Sequence, residues 1–197
     1  MPVSYYFRSL VKMPELEQQA IAHCTGKILD IGAAAGSHAL QLVRNGREVV
    51  ALDISPNSCE VMKDRGLTDI VCEDFFKYEG QKYDTLLLLM NGIGICSSLS
   101  GFRKFLEKAK SLLNPYGKIV FDSCDISYMY EEVEKPEDRY YGQAQVRYEY
   151  DKQFTEWFQW LYIDAEMMAN IADEEGWNSE IVFEDNNSQY LAVLSLK

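Results

Sequence analysis

Histidine is nearly missing from this chain: His23 and His38 are the only two in 197 residues. The five cysteines, Cys24, Cys59, Cys72, Cys96 and Cys124, form no Cys-x-x-Cys pair. With ligands this sparse, no metal site is expected. An odd cysteine count spread over predicted strands and helices instead fits packed thiols in a reduced, cytoplasmic protein. Basic residues are also short, 19 Lys and Arg against 31 Asp and Glu, for a net charge of −12. They are scattered rather than gathered into a stripe, so no nucleic-acid partner is expected. No apolar run approaches the ~18 residues of a membrane-spanning helix. The opening residues, Met1 to Arg8, lack the basic region and apolar core of a signal peptide. No membrane partner is expected.

What is present reads as one ordinary domain over 1–197, with 47% hydrophobic and 25% charged residues. Its organising stretch is Lys27 to Ala39, Lys-Ile-Leu-Asp-Ile-Gly-Ala-Ala-Ala-Gly-Ser-His-Ala. An apolar run broken only by Asp30 predicts a buried parallel strand. Gly32 and Gly36 bracket three alanines, and helical composition follows. Such a strand–turn–helix unit offers a ligand free N–H groups, a positive dipole end and an unobstructed backbone. Asp53 ends the next apolar run, 21 positions beyond Gly32. At that spacing an acid on the second strand reaches ribose hydroxyls in a doubly wound nucleotide-binding fold.

The dinucleotide fingerprint Gly-x-Gly-x-x-Gly fails, because Ala34 and Ser37 stand where its second and third glycines belong. The loop instead resembles the Asp-x-Gly-x-Gly-x-Gly motif of class I S-adenosylmethionine-dependent methyltransferases, with Ala34 at the middle glycine. Four further stretches resemble that family in order: Leu52 to Ser58, Val71 to Phe76, Tyr83 to Gly92 and Leu112 to Ser123. In the last, Tyr116 replaces the first glycine of the family's turn. The resemblance implies S-adenosylmethionine as cofactor and direct methyl transfer. It also implies a doubly wound, mostly parallel seven-stranded α/β sheet with an antiparallel last strand.

By the same resemblance, Asp30, Gly32, Ala33, Ala34 and Gly36 would hold the methionine part. Asp53 with Ile54 would take the ribose, and Asp74 with Phe75 the adenine. The carbonyl oxygen of Met90 or Asn91 would accept from the methionine ammonium, with Gly92 beside them at the ligand crevice, and Arg8, just before the first helix, would pair the carboxylate. The segment from Tyr83 to Gly92 lacks the Asn-Pro-Pro-Tyr or Asp-Pro-Pro-Tyr sequence of enzymes that methylate amino groups of nucleic acids and proteins. A small-molecule acceptor is therefore expected. No residue announces itself as a base; Asp122, Asp125 and Tyr128, past the fifth strand, are the candidates. His38 reads as loop support rather than a base, and His23 as a helix-end surface residue.

Residues 1–26 read as a cap segment and helix, 27–123 as the cofactor core, and 164–197 as a helix with a final strand pair. Between them, 124–163 reads as an insertion over the substrate side. It has a short helix at Ser127–Val133 and a β-hairpin pairing Gln143–Tyr150 with Phe154–Ile163. Its Trp157, Trp160 and Tyr162 read as hairpin packing more than as a binding wall. Two rival functions stand beside the main one: a non-catalytic cofactor-binding sensor or partner subunit, and an NAD-dependent oxidoreductase.

Overall fold

A computed structural model describes residues 2–197. Two short 3-10 turns, Val3–Phe7 and Leu10–Lys12, precede helix α1 (Glu15–His23). Strands and helices then alternate: β1 (Lys27–Ile31), α2 (Ser37–Arg44), β2 (Glu48–Asp53), α3 (Pro56–Asp64) and β3 (Ile70–Cys72). The second half brings β4 (Tyr83–Leu88), α4 (Leu99–Leu112) and β5 (Leu113–Cys124). Four short strands follow, β6 (Gln143–Val146), β7 (Glu149–Tyr150), β8 (Gln153–Phe154) and β9 (Phe158–Leu161). The chain ends with α5 (Ala165–Glu174), β10 (Trp177–Glu184) and β11 (Gln189–Leu196).

Seven strands form one sheet in the order β10-β11-β5-β4-β1-β2-β3. Only β11 runs against the rest, antiparallel to both β10 and β5. The expected sheet is therefore the observed one. Its central strands are apolar on both faces because both are covered. Ile28 and Leu87 join a core with α1, α2 and Met62 of α3, while Leu29, Leu86 and Leu88 join one with α4 and α5. Helix α4 buries Phe102, Phe105, Leu106, Ala109 and Leu112 at helical spacing against that second core.

The strand order reverses between β1 and β4. After β3 the chain returns through residues 73–82 without a helix and starts β4 on the other side of β1. The crevice outside the carboxyl ends at such a reversal is where open α/β sheets bind ligands.

The expected hairpin is present but broken: β6 pairs β9, and β7 pairs β8, as two separate ladders. Between them Thr155 substitutes its side chain for a ladder bond, its Oγ1 accepting from Tyr148 N–H at 2.9 Å. Two expectations need correction. The helix expected at Ser127–Val133 is a single 3-10 turn, Ser127–Tyr130, as its lack of apolar periodicity allows. Strand five begins at Leu113 rather than Lys118; Tyr116 adopts φ 65° within it, fully exposed, at an irregularity in the pairing with β4.

Candidate active site

The loop after β1 is built from backbone bonds. Gly32 and Ala33 N–H both donate to Leu52 O, at 2.8 and 3.1 Å, and Gly36 N–H donates to Ala33 O at 2.7 Å. Gly36 adopts φ 75°, and a Cβ there would lie 2.6 Å from Leu67 Cδ1 and 2.9 Å from Met62 Cγ. Only glycine lets α2 start this close to α3. At Gly32 a Cβ would meet nothing within 4 Å, so the loop faces open space there.

Asp53 is the hub of this side. Its Oδ2 accepts from Ala34 N–H and its Oδ1 from Ser55 N–H, both at 2.8 Å. Ser55 in turn caps α3, its hydroxyl accepting from Ser58 N–H at 3.3 Å. Ala34 holds φ 49° in the left-handed region, and the bond to Asp53 helps keep it there. Ile54, next in the chain, is 71% exposed. At the end of β3, Asp74 Oδ1 accepts from Phe76 N–H at 3.0 Å. Phe75 does not lie open beside it: the ring is buried, 5.1 Å from the Phe105 centroid. Phe76, edge-on to Phe75 at 5.5 Å, is the exposed aromatic at this edge.

Beneath the loop lies a buried charged cluster. Asp30, Asp122, Glu17, His38 and Arg8 are all buried. Glu17 pairs with Arg8 through one carboxylate oxygen and with His38 Nε2 through the other, at 2.8 Å. Burial pushes the Asp30 carboxyl up to about 6, against the pull of His38 and the Ala39 N–H. Burial also raises Asp122, to about 7; the Asn91 N–H favours its anion, whereas Glu17 opposes it. Two atoms here, Asp30 Oδ2 and Arg8 Nε, are fully buried without a hydrogen-bond partner.

Arg8 is thus neither solvated nor free, since one of its amino groups is taken by Glu17. The rest of its segment is pinned across the loop. Tyr6 O accepts from Ser37 Oγ at 2.6 Å and from Arg65 Nη1 at 3.3 Å, and Arg65 also donates to Ala35 O. Tyr5 stacks on Arg8, and Phe7 on Arg65.

The exit of β4 carries two consecutive left-handed residues, Met90 (φ 60°) and Asn91 (φ 55°), before Gly92. Asn91 N–H donates to both oxygens of Asp122 at 3.0 Å. Its side chain clips the insertion: Nδ2 donates to Leu161 O and Oδ1 accepts from Ser123 Oγ, each at 3.1 Å. Ser123 Oγ also accepts from Ile163 N–H at 3.1 Å. Trp160 lies so close to Gly94 that a Cβ there would sit 2.0 Å from its Nε1. Tyr148 on the insertion is exposed, its ring 5.4 Å from the Phe158 centroid.

The three candidate bases part company. Asp122 is 5% exposed and bonded to the Asn91 backbone, within the buried cluster rather than on an open wall. Asp125 accepts from Tyr141 Oη at 2.7 Å and from Ser127 N–H at 2.8 Å. Burial opposes its anion, yet the Tyr141 hydroxyl and the Ser127 donors hold the carboxyl below its usual range. Tyr128 is exposed. His23 is half-exposed at the end of α1, and His38 is buried support, as the sequence suggests.

A family model described as a methyltransferase domain matches residues 23–175. The crystal structure of an S-adenosylmethionine-dependent methyltransferase from Bacteroides fragilis, in complex with S-adenosyl-L-homocysteine, aligns over the whole chain and 82% of its own, at 41% identity and TM-score 0.91. The chain is a class I, S-adenosylmethionine-dependent methyltransferase. More distant structures share the fold. One is a methyltransferase from Clostridium acetobutylicum (11% identity, 94% of this chain and 93% of that one, TM-score 0.68). Another is CalS10, an amino pentose methyltransferase from Micromonospora echinaspora (14%, 93% and 89%, TM-score 0.63). No curated protein matches the chain. Membership of the family removes the oxidoreductase reading.

The methyltransferase's own atoms fit its cofactor. An open backbone at Gly32, an unpaired buried carboxylate oxygen and an unpaired guanidinium nitrogen suit a ligand that carries both an ammonium and a carboxylate. Sequence reading missed Glu17, which joins Arg8 to His38. The signal was present: Glu17 precedes Ala20 and Ile21 by three and four, on the apolar stripe of α1. Ser123 and the Tyr141–Asp125 pair had no such signal.

Proposed function

We propose that this methyltransferase modifies a small-molecule acceptor, by direct transfer in a site covered from two sides. The observation that carries the reading is that the N-terminal segment is pinned across the loop after β1 through Tyr6 O, while Asn91 ties the insertion at Leu161 to the exit of β4. A covered crevice admits a metabolite-sized acceptor and excludes bulk water, which strengthens every polar contact inside. No helix among the described residues is long and apolar enough to cross a membrane. The acidic surface disfavours nucleic acid, and unpaired cysteines suit a reducing cytoplasm.

In this reading Asp53 takes the ribose hydroxyls on its remaining lone pairs, while Asp74, with Ile54 and Phe76 flanking, takes the adenine. Phe75 supports from the core. Gly32, Ala33, Ala34 and Gly36 line the methionine part. Asp30 Oδ2 faces the ammonium with backbone oxygens of Met90, Asn91 and Gly92, and Arg8 Nε the carboxylate. S-adenosylmethionine supplies an electrophilic methyl on a good leaving group. The protein's share is then orientation and exclusion of water. Asp125, kept ionised by its hydrogen bonds, is a weak base, which favours a nitrogen or sulfur acceptor that needs none. Residues 124–163 act as the acceptor-side cover of a single domain.

The test is release of S-adenosylhomocysteine with a low-molecular-weight metabolite fraction, against tRNA, DNA and protein fractions. Turnover is expected with the metabolites alone; turnover only with a macromolecule would sink the reading. For Arg8, Arg8→Ala should weaken S-adenosylhomocysteine but spare adenosine, which lacks the carboxylate. Equal losses would remove Arg8 from that role.

A further inference from the structure

Two cysteines meet beside the proposed ribose acid. Cys59 lies on α3, and its Sγ donates to Asp53 O at 3.6 Å. Cys72 ends β3 and is the register partner of Asp53 across the β2–β3 ladder. Alternation fixes which way Cys72 points. Ile70 packs into the core that contains Met62 of α3 and touches Cys59, whereas Val71 packs into the opposite core. Cys72 therefore shares the face of Ile70 and of Cys59. Both side chains lie beside Asp53, Cys59 on its carbonyl oxygen and Cys72 at its ladder partner position. Cys72 is exposed and Cys59 half-exposed, so the pair is open to solution chemistry.

We propose that Cys59 and Cys72 form a reversible dithiol–disulfide site on the rim of the nucleoside pocket, and that its oxidation weakens cofactor binding. The oxidant is a low-molecular-weight disulfide. The Cys72 thiolate attacks one of its sulfurs and expels the first small thiol. The Cys59 sulfur, losing its proton to solvent, attacks Cys72 of the mixed disulfide and expels the second. The protein gives up two electrons and two protons, and the small disulfide becomes two thiols. Burial and the Cys72 thiol push Cys59 up to about 12, which leaves exposed Cys72 as the attacking sulfur.

The bond would matter because Asp53 O is a shared acceptor. It takes Glu73 N–H at 3.1 Å as well as the Cys59 thiol. Closing the sulfurs to about 2.05 Å removes one of those donors and draws the end of β3 toward α3. Glu73 and Asp74 move with it. The existence of the bond is independent of the cofactor placement above; the loss of affinity rests on it.

The experiment treats the purified enzyme with oxidised glutathione, counts thiols in denaturant, maps cross-linked peptides and titrates S-adenosylhomocysteine by calorimetry. Two of the five thiols should disappear into a Cys59–Cys72 peptide. Affinity should fall by about fivefold or more, the scale of a modest coupling, and return with dithiothreitol. Cys59→Ser and Cys72→Ser, each with the wild-type melting temperature, should lose this response. A bond elsewhere, or none, would overturn the site, and a Cys59–Cys72 bond with unchanged affinity would overturn the coupling. A reduced enzyme that does not bind S-adenosylhomocysteine would overturn the cofactor placement and the coupling together, while the peptide map alone still decides the bond.

Discussion

The nucleotide half, Gly32 to Asp74, and the insertion, Asp125 to Tyr162, sit on the same sheet edge but are held by different means. In the first, backbone groups a few residues from a strand end bond to one another and to Asp53. In the second, side chains reach across long stretches of chain: Asn91 to Leu161, Ser123 to Ile163, Leu99 N–H to Gln143 Oε1 and Tyr141 to Asp125. Local backbone wiring makes a rigid cradle that any acceptor chemistry can use. Long-range side-chain ties make the insertion, the proposed cover, a segment that can loosen one bond at a time.

Between the two lies the buried charged cluster, and the largest effect is expected there. Glu17→Ala strands Arg8 and His38 in the core, and removing one partner of a buried pair costs about 3–5 kcal/mol. Denaturant unfolding should show it, together with release of the N-terminal segment. A loss under about 1 kcal/mol would mean that the cluster is hydrated and not holding the segment.

On the nucleotide side, Asp53→Ala deprives Ala34 and Ser55 of their acceptor. Affinity for S-adenosylhomocysteine should fall by about 1.5–3 kcal/mol, the scale of hydrogen bonds to a charged group. Unchanged affinity by calorimetry would remove Asp53 from the site. On the insertion side, Asn91→Ala leaves Leu161 O and Ser123 with one partner fewer, at about 1–3 kcal/mol. Amide exchange should quicken in β6 and β9 while β1 and β2 keep their protection. Equal quickening in both regions would erase the distinction between cradle and cover.

The smallest effect is a slope. Asp30 and Asp122 have folded pKa values raised to about 6 and 7, above the unfolded value near 3.9. The folded state then holds more protons than the unfolded one, so stability falls as pH rises from about 4 to 7. Asp122→Asn keeps an acceptor for the Asn91 N–H and should flatten part of that fall, at most about 1.4 kcal/mol per pH unit. Melting curves across the range that keep the wild-type slope would mean Asp122 does not titrate there.

Legibility followed the same division. The strands of the core and the Gly32–Asp53 spacing were readable because period, turn residues and motif spacing are local properties, whereas the antiparallel last strand came with the family resemblance. The broken hairpin was readable only as alternation; its break at Tyr148 and Thr155 depends on a bond between positions that the pattern alone does not pair. That Phe75 is buried and Phe76 exposed was not legible, because adjacent aromatics at a strand exit differ only in which one α4 covers. Arg8 read as a partner for the cofactor carboxylate, but its engagement by Glu17 depends on where α1 docks.

The sequence by itself determined the family, the cofactor and the alternation of strands and helices, since each is written in short-range chemistry: small residues where a backbone must be approached, an acid at a strand end, apolar runs of the right length. Tertiary structure alone decided which carboxylates are buried and which stay charged. It also decided how the insertion is fastened and that Cys59 faces Cys72. Those outcomes turn on burial and on distances between residues far apart in the chain, and neither has a local signature for a sequence to carry.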